Sequence, residues 1–225
     1  MKERMPVTPS RYAQHGLLAL PLALAPVMAG VFALGARWLG AEAGYLLGFG
    51  LYWLVWCLLV PRALLGKAGF ATLLRDRAPL FSRNNWLAAC LWLLVTLSAV
   101  FMYAGAFLSA PPALILLAAP LATVNGVCEE LLWRSLYARC FPRNPWLAIV
   151  YPAIGFALWH LAPQMVFPAG NVAGFVLATF FLGLSYGFIA YRTGSARWTA
   201  VSHSLSGALA LSGYLATSLL ALIEA

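Results

Sequence analysis

Five ionisable side chains lie in stretches of this sequence that are otherwise almost entirely apolar. They are Glu129, Glu130, Arg134, His160 and His203. A carboxylate beside an imidazole can take a proton from water, and a second imidazole can donate a hydrogen bond to a developing oxyanion. Such a set can hydrolyse an amide without a Ser or Cys nucleophile. It can equally form a structural polar network between helices or a path for protons or ions, and spacing alone leaves these three functions open.

The spacing of these residues predicts which of them can meet within one helix. Residues four apart lie on the same face of an α-helix, whereas adjacent residues diverge by about 100°. We therefore expect Glu130 to pair with Arg134 on its own helix. Glu129 then points elsewhere and is left for a partner on another helix.

A turn between two apolar stretches predicts a partner for Glu129. Pro142 and Pro145 end one helix and begin the next, because proline is excluded from helix interiors but tolerated in the first turn. Glu129 and His160 are equally far from this turn along the chain. In an antiparallel hairpin of two regular helices they lie at the same depth, so we expect them to face each other.

The elements that carry these residues must be membrane spans. The chain has 225 residues, of which 63% are hydrophobic and only 9% charged, against roughly a quarter charged in a soluble domain. A helix needs about 20 apolar residues to cross the hydrocarbon core. Runs of this kind lie at 16–36, 43–60, 86–108, 112–140, 146–162, 172–191 and 198–223. They predict one all-α, polytopic transmembrane bundle over 1–225, with seven spans, or eight if glycines divide the last run.

The basic residues predict how the bundle is oriented. Twelve of the 14 Lys and Arg residues fall in the N-terminal tail and in alternate loops, which places the N-terminus in the cytoplasm. The first apolar run is too long for a signal peptide, so we expect it to be retained. From the helical rise, Glu129 then lies about 15 Å and His203 about 9 Å from the cytosolic interface. The basic loop at 61–85 is either an amphipathic segment on the inner leaflet or an ordinary solvated loop.

Charge and cysteine usage exclude several kinds of partner. The net charge is +8, but the basic residues form no aromatic-interleaved patch, so we predict a lipid bilayer and no nucleic acid as partner. Four cysteines are scattered without C-x-x-C spacing, namely Cys57, Cys90, Cys128 and Cys140. They predict neither a zinc motif nor a disulfide framework, and no cofactor or metal is expected.

Three short motifs carry a resemblance to a known family. Glu129-Glu130-Leu131-Leu132-Trp133-Arg134 resembles the E-E-x-x-x-R motif of the CAAX protease and bacteriocin-processing family of glutamic intramembrane proteases. Phe156-Ala157-Leu158-Trp159-His160 resembles its F-x-x-x-H motif, and His203 lies where its third motif begins. The order and separations match as well. The resemblance covers about 112–215, which it identifies as the catalytic core.

The resemblance implies a membrane endopeptidase and a role for each matching residue. Glu129 and His160 would activate the water, and His203 would help to bind the oxyanion. Glu130 and Arg134 would shape the site, with Phe156 packed one turn before His160. The implied substrates are membrane-associated proteins or peptides: prenylated C-terminal peptides, bacteriocin leaders or C-terminal sorting anchors. Arginine outnumbers lysine twelve to two, and alanine and leucine dominate, which is typical of a GC-rich bacterial genome, so we expect the bacterial inner membrane as the location.

One position departs from the family pattern, and others are candidates for supporting roles. The fourth residue after His203 is Gly207, where the family has Asn or Asp, so one oxyanion donor is missing. Asn125, one turn before Glu129, is either a support for that carboxylate or packing between helices. Trp133 and Trp159 lie inside the motifs and are candidates for lining a substrate entry.

Two alternative functions remain beside a glutamic protease. A zinc-dependent membrane protease could use Glu129, His160 and His203 as its three ligands, although no H-E-x-x-H is present. A non-catalytic scaffold of the same fold would bind substrate tails without cutting them.

Overall fold

The computed structural model describes residues 11–224, with side chains up to Ser212, as packed long helices. No strand occurs in that range, which confirms the all-α prediction. In chain order the seven long helices of these residues are α1 Arg11–Leu39, α2 Ala41–Phe70, α3 Arg83–Leu108, α4 Pro112–Cys140, α5 Trp146–Gln164, α6 Val172–Thr193 and α7 Arg197–Glu224.

Each helix coincides with one of the apolar runs in the sequence. The helices α1 to α6 are long and apolar enough to cross a membrane by length and composition, as expected for an integral membrane protein. The last helix, α7, is continuous from Arg197 to Glu224, so its glycines do not divide it. The number of spans and the cytoplasmic N-terminus stay predictions.

Three helices contain a segment that departs from regular α-helical winding. A π-helical segment occupies Tyr52–Leu59 in α2, and another, Leu131–Leu136, follows directly after the glutamate pair in α4. A third, Trp146–Val150, begins α5. Because a π turn holds an extra residue, it rotates the side chains that follow relative to a regular helix, and such segments are frequent at functional sites.

The basic 61–85 loop begins inside α2 and then packs against neighbouring helices. Its first part continues α2 as far as Leu65; Gly66, with a φ of 68°, breaks the helix, and a short helical turn follows to Phe70. Beyond it, Leu73 and Leu80 are 2% and 1% exposed, and Asp76 accepts a hydrogen bond from the indole of Trp198 at 3.0 Å. Residues 71–82 are therefore folded onto the ends of neighbouring helices, because two leucines and a carboxylate find partners there. Their position relative to a bilayer stays a prediction.

The two helices that carry the glutamates and His203 pack closely at a glycine. A Cβ atom at Gly126 of α4 would lie 2.7 Å from Oγ and 2.8 Å from the backbone nitrogen of Ser204 in α7. No real side chain tolerates that contact. Small residues let transmembrane helices pack backbone to backbone, and here Gly126 allows α7 to bring His203 beside the glutamate pair.

Candidate active site

The glutamate pair ends the regular α-helical part of α4 and is fully enclosed. Glu129 is 1% exposed and Glu130 is 0% exposed. Buried carboxylates need partners, because an unpaired charge in a low-dielectric interior is costly. Each of the two finds a different set.

Glu130 pairs within its own helix, as its spacing predicts. Its Oε2 atom lies 3.4 Å from Nε of Arg134, and the guanidinium carbon of Arg134 lies 3.9 Å from the centre of the Phe156 ring. Phe156 therefore packs on the arginine as well as against the ring of His160. The cation, its carboxylate and the aromatic face form one buried unit that joins α4 to α5.

Glu129 accepts hydrogen bonds from two side chains, one to each oxygen. The indole Nε1 of Trp159 lies 3.0 Å from Oε1, and the amide nitrogen of Asn125 lies 3.3 Å from Oε2. His203 is a third neighbour of this carboxylate, with its Nε2 3.5 Å from Oε2. The carboxylate is thus held from α4 itself, from α5 and from α7.

His203 lies between the two glutamates. Its Nδ1 is 3.0 Å from Oε1 of Glu130, whereas its Nε2 is 3.5 Å from Oε2 of Glu129. The second distance is long for a hydrogen bond. Nε2 is therefore the less tightly held nitrogen and the one available to a ligand.

His160 is held by the backbone and not by Glu129. Its Nδ1 lies 2.7 Å from the carbonyl oxygen of Phe156. A carbonyl only accepts, so Nδ1 donates, and in the neutral ring Nε2 carries the lone pair. Among the described residues, no hydrogen bond or ion pair joins Glu129 to His160. The side chain that meets Glu129 across the hairpin is Trp159, one position before the expected His160.

Three of the residues around Glu129 carry little signal in the sequence. Trp159, a sequence candidate for substrate entry, is 0% exposed and supports the carboxylate instead. Tyr52 and Trp53 come from α2: the Tyr52 ring stacks on Trp159 with a centroid distance of 3.7 Å, and the Trp53 indole donates to Asn125. Trp133 is also buried, donating to the Tyr52 hydroxyl. Motif position could have suggested Trp159, but no pattern singles out α2.

Gly207 faces the packing interface between α7 and α4. A Cβ atom at this position would lie 3.2 Å from Cβ of Ala122, which is tighter than ordinary side-chain packing. An Asn or Asp here would have to fit between the two helices. The described residues thus leave little room for the side chain that the family pattern has at this position.

The two histidines are the partly exposed members of the cluster. The His203 side chain is 14% exposed, and His160 contacts the ring of Phe175, a residue of α6 that is 38% exposed. Next to His160, an open apolar groove runs between α5 and α6.

In the part of the chain that the structure describes, no three His, Cys, Asp or Glu side chains are arranged so that they could hold a metal ion. The set Glu129, His160 and His203 is spread apart: His203 lies between the carboxylates, and His160 is turned to a backbone carbonyl.

Comparison with known families bears directly on this cluster. Residues 109–209 match a family model described as Rce1-like, "Type II CAAX prenyl endopeptidase Rce1-like". This confirms the suspected family over that segment. The match spans every motif residue, including Glu129, His160 and His203. Comparisons with curated proteins and with solved structures found no match. The Rce1-like segment implies a protease that acts on a peptide substrate from within a membrane.

Proposed function

We propose that this protein is a glutamic intramembrane endopeptidase, which cuts a peptide bond near the membrane in a membrane-associated protein or peptide. The observation that carries the proposal is the buried carboxylate of Glu129, held by two donors beside two partly exposed histidines. A water between Glu129 and Nε2 of His160 would have a base on one side and an acceptor on the other.

The reaction follows from these positions. Glu129 removes a proton from the water as the hydroxide oxygen bonds to the scissile carbonyl carbon, a general-base role. The oxyanion that forms accepts a hydrogen bond from Nε2 of His203, which requires a proton on both ring nitrogens because Nδ1 already donates to Glu130. The carbon–nitrogen bond then breaks while the departing nitrogen takes the proton held by Glu129. The products are a carboxylic acid and an amine, and Glu129 is again ionised.

The remaining members of the cluster set the geometry. Glu130 fixes Nδ1 of His203, and Arg134 neutralises Glu130 on the other side. Because His203 is anchored through Nδ1, its Nε2 has a defined place from which to reach the oxyanion. We assign these groups a supporting role and place the whole chain, as one membrane domain, in a bacterial inner membrane.

A comparison of membrane proteins by mass spectrometry tests the function and requires no chosen substrate. Cells that express the parent chain should contain at least one protein terminus that is missing with Glu129→Gln or His203→Ala. Glu42→Gln is the matched control, because it removes an exposed carboxylate near the start of α2, outside the cluster. If the parent and Glu129→Gln cells have identical termini, the proposed protease is wrong. The terminus found also distinguishes a prenylated tail from a leader peptide or a sorting anchor.

A non-catalytic scaffold of the same fold is the second candidate function, favoured by Gly207. The close contact with Ala122 leaves little room for the usual second donor. A scaffold would retain membrane proteins in the parent and in Glu129→Gln alike. Cross-linking of the same protein to both forms, with no altered terminus, would support the scaffold.

A further inference from the structure

Two adjacent aromatic residues of α2, Tyr52 and Trp53, each connect to Glu129 through one intermediate side chain. They lie at the start of the π-helical segment Tyr52–Leu59 and outside the Rce1-like residues 109–209. Adjacent residues on a helix point in different directions. The two rings therefore contact two different side chains, each of which donates to one oxygen of Glu129.

The first connection runs from Trp53 through Asn125. The indole Nε1 of Trp53 lies 2.9 Å from Oδ1 of Asn125. An indole only donates, so this contact assigns Oδ1 as the acceptor and turns the amide nitrogen towards Oε2 of Glu129, 3.3 Å away. Without Trp53, the amide could flip and present its oxygen to the carboxylate, which repels it.

The second connection runs from Tyr52 through Trp159. The two rings stack at 3.7 Å with planes 17° apart. The Tyr52 hydroxyl in turn accepts a hydrogen bond from Nε1 of Trp133 at 2.8 Å. The stack fixes the plane of the Trp159 indole, whose Nε1 donates to Oε1 of Glu129 at 3.0 Å.

We propose that Tyr52 and Trp53 are positioning residues for Glu129, so that α2 completes the active site carried by the Rce1-like segment. This inference rests on the proposed function, because it assigns Glu129 as the base. One donor on each oxygen fixes the plane of the carboxylate and leaves a lone pair on each side for water. Hydrogen bonds to a charged acceptor are stronger than neutral ones, so losing either connection should slow turnover and leave substrate binding intact.

The test of the Trp53 connection is a double-mutant cycle on the purified full chain. The substrate is a peptide spanning the terminus that depends on Glu129 in cells. We expect Trp53→Phe to lower kcat about tenfold with KM unchanged, because Asn125 without its indole partner no longer holds its charge-assisted hydrogen bond to Glu129. Asn125→Ala should have a similar effect, and the double variant should lose no more than either, because the two act through one bond. Trp56→Phe is the matched control: its indole has no hydrogen bond within the described residues, and kcat should stay at the parent value.

The test of the Tyr52 connection is rescue by the ring alone. Tyr52→Phe keeps the stack on Trp159 and should retain most of the parent kcat. Tyr52→Leu removes the stack and should lose most of the parent kcat. Melting temperatures of all variants separate this effect from a general loss of stability.

Particular results overturn the inference. They are additive losses in Trp53→Phe and Asn125→Ala, an effect on KM alone, a Trp56→Phe variant as slow as Trp53→Phe, or equal kcat in Tyr52→Phe and Tyr52→Leu. Failure of the proposed function looks different, because Glu129→Gln then cuts like the parent or no terminus depends on it; the inference falls with it.

Discussion

The side chain opposite Glu129 across the α4–α5 hairpin is Trp159, whose indole nitrogen lies 3.0 Å from the carboxylate. The next residue, His160, is turned to the carbonyl oxygen of Phe156. The carboxylate therefore receives a fixed donor from α5, and the imidazole keeps a free nitrogen beside it. The proposed catalytic water would lie between these two groups.

The two adjacent glutamates should separate into a catalytic and a structural residue. Glu129→Gln should abolish cleavage and leave the solubilised protein folded, because its partners are neutral donors or a neighbouring imidazole. Glu130→Gln leaves Arg134 without its buried carboxylate, which costs about 3–5 kcal/mol. Melting temperatures in detergent should fall much further for Glu130→Gln. Equal melting temperatures, with cleavage lost only in Glu130→Gln, would reverse the assignment.

The ring of Phe156 should stabilise the buried arginine. Phe156→Leu removes the aromatic face 3.9 Å from the Arg134 guanidinium, and a desolvated contact of this kind contributes about 2 kcal/mol. We expect a clear drop in the free energy of unfolding. Phe181→Leu is the control, since Phe181 of α6 is 57% exposed and should have little effect. Similar losses in both variants would mean that only general packing was affected.

Substitution at Gly207 should disturb helix packing and not restore a donor. The 3.2 Å approach to Ala122 predicts that Gly207→Asn destabilises the protein by about 1–3 kcal/mol, the usual cost of overpacking. Cleavage should fall accordingly. Adding Ala122→Gly should recover stability by opening the facing position. An increase in cleavage with Gly207→Asn alone would show that the side chain reaches the oxyanion.

Cleavage should not depend on a metal ion. The proposed base, acceptor and donor are all side chains of this protein, so EDTA or phenanthroline should leave the rate unchanged. Elemental analysis of the active preparation provides a second measurement. One tightly bound zinc per chain, with activity lost on its removal and recovered on its return, would establish the zinc-protease alternative.

The sequence predicts those features that depend on a single helix. The lengths of the apolar runs predict the seven helices. In a lipid environment the backbone N–H and C=O groups of such a run must bond to each other, and a helix achieves this within one segment. The pairing of Glu130 with Arg134 follows from a spacing of four residues, which any regular helix places on one face. The turn at the two prolines predicts the residue opposite Glu129 to within one position. The three motifs predict which residues gather in the site.

Contacts between helices were decided by the tertiary structure. Whether Trp159 or His160 meets Glu129 depends on the rotation of α5 about its axis, and the π-helical segments of α4 and α5 change that rotation. The place of His203 between both glutamates depends on how closely α7 packs on α4 at Gly126. The support from Tyr52 and Trp53 depends on α2, far away in the chain. Spacing along one helix determines which residues share its face, but only packing determines what that face meets.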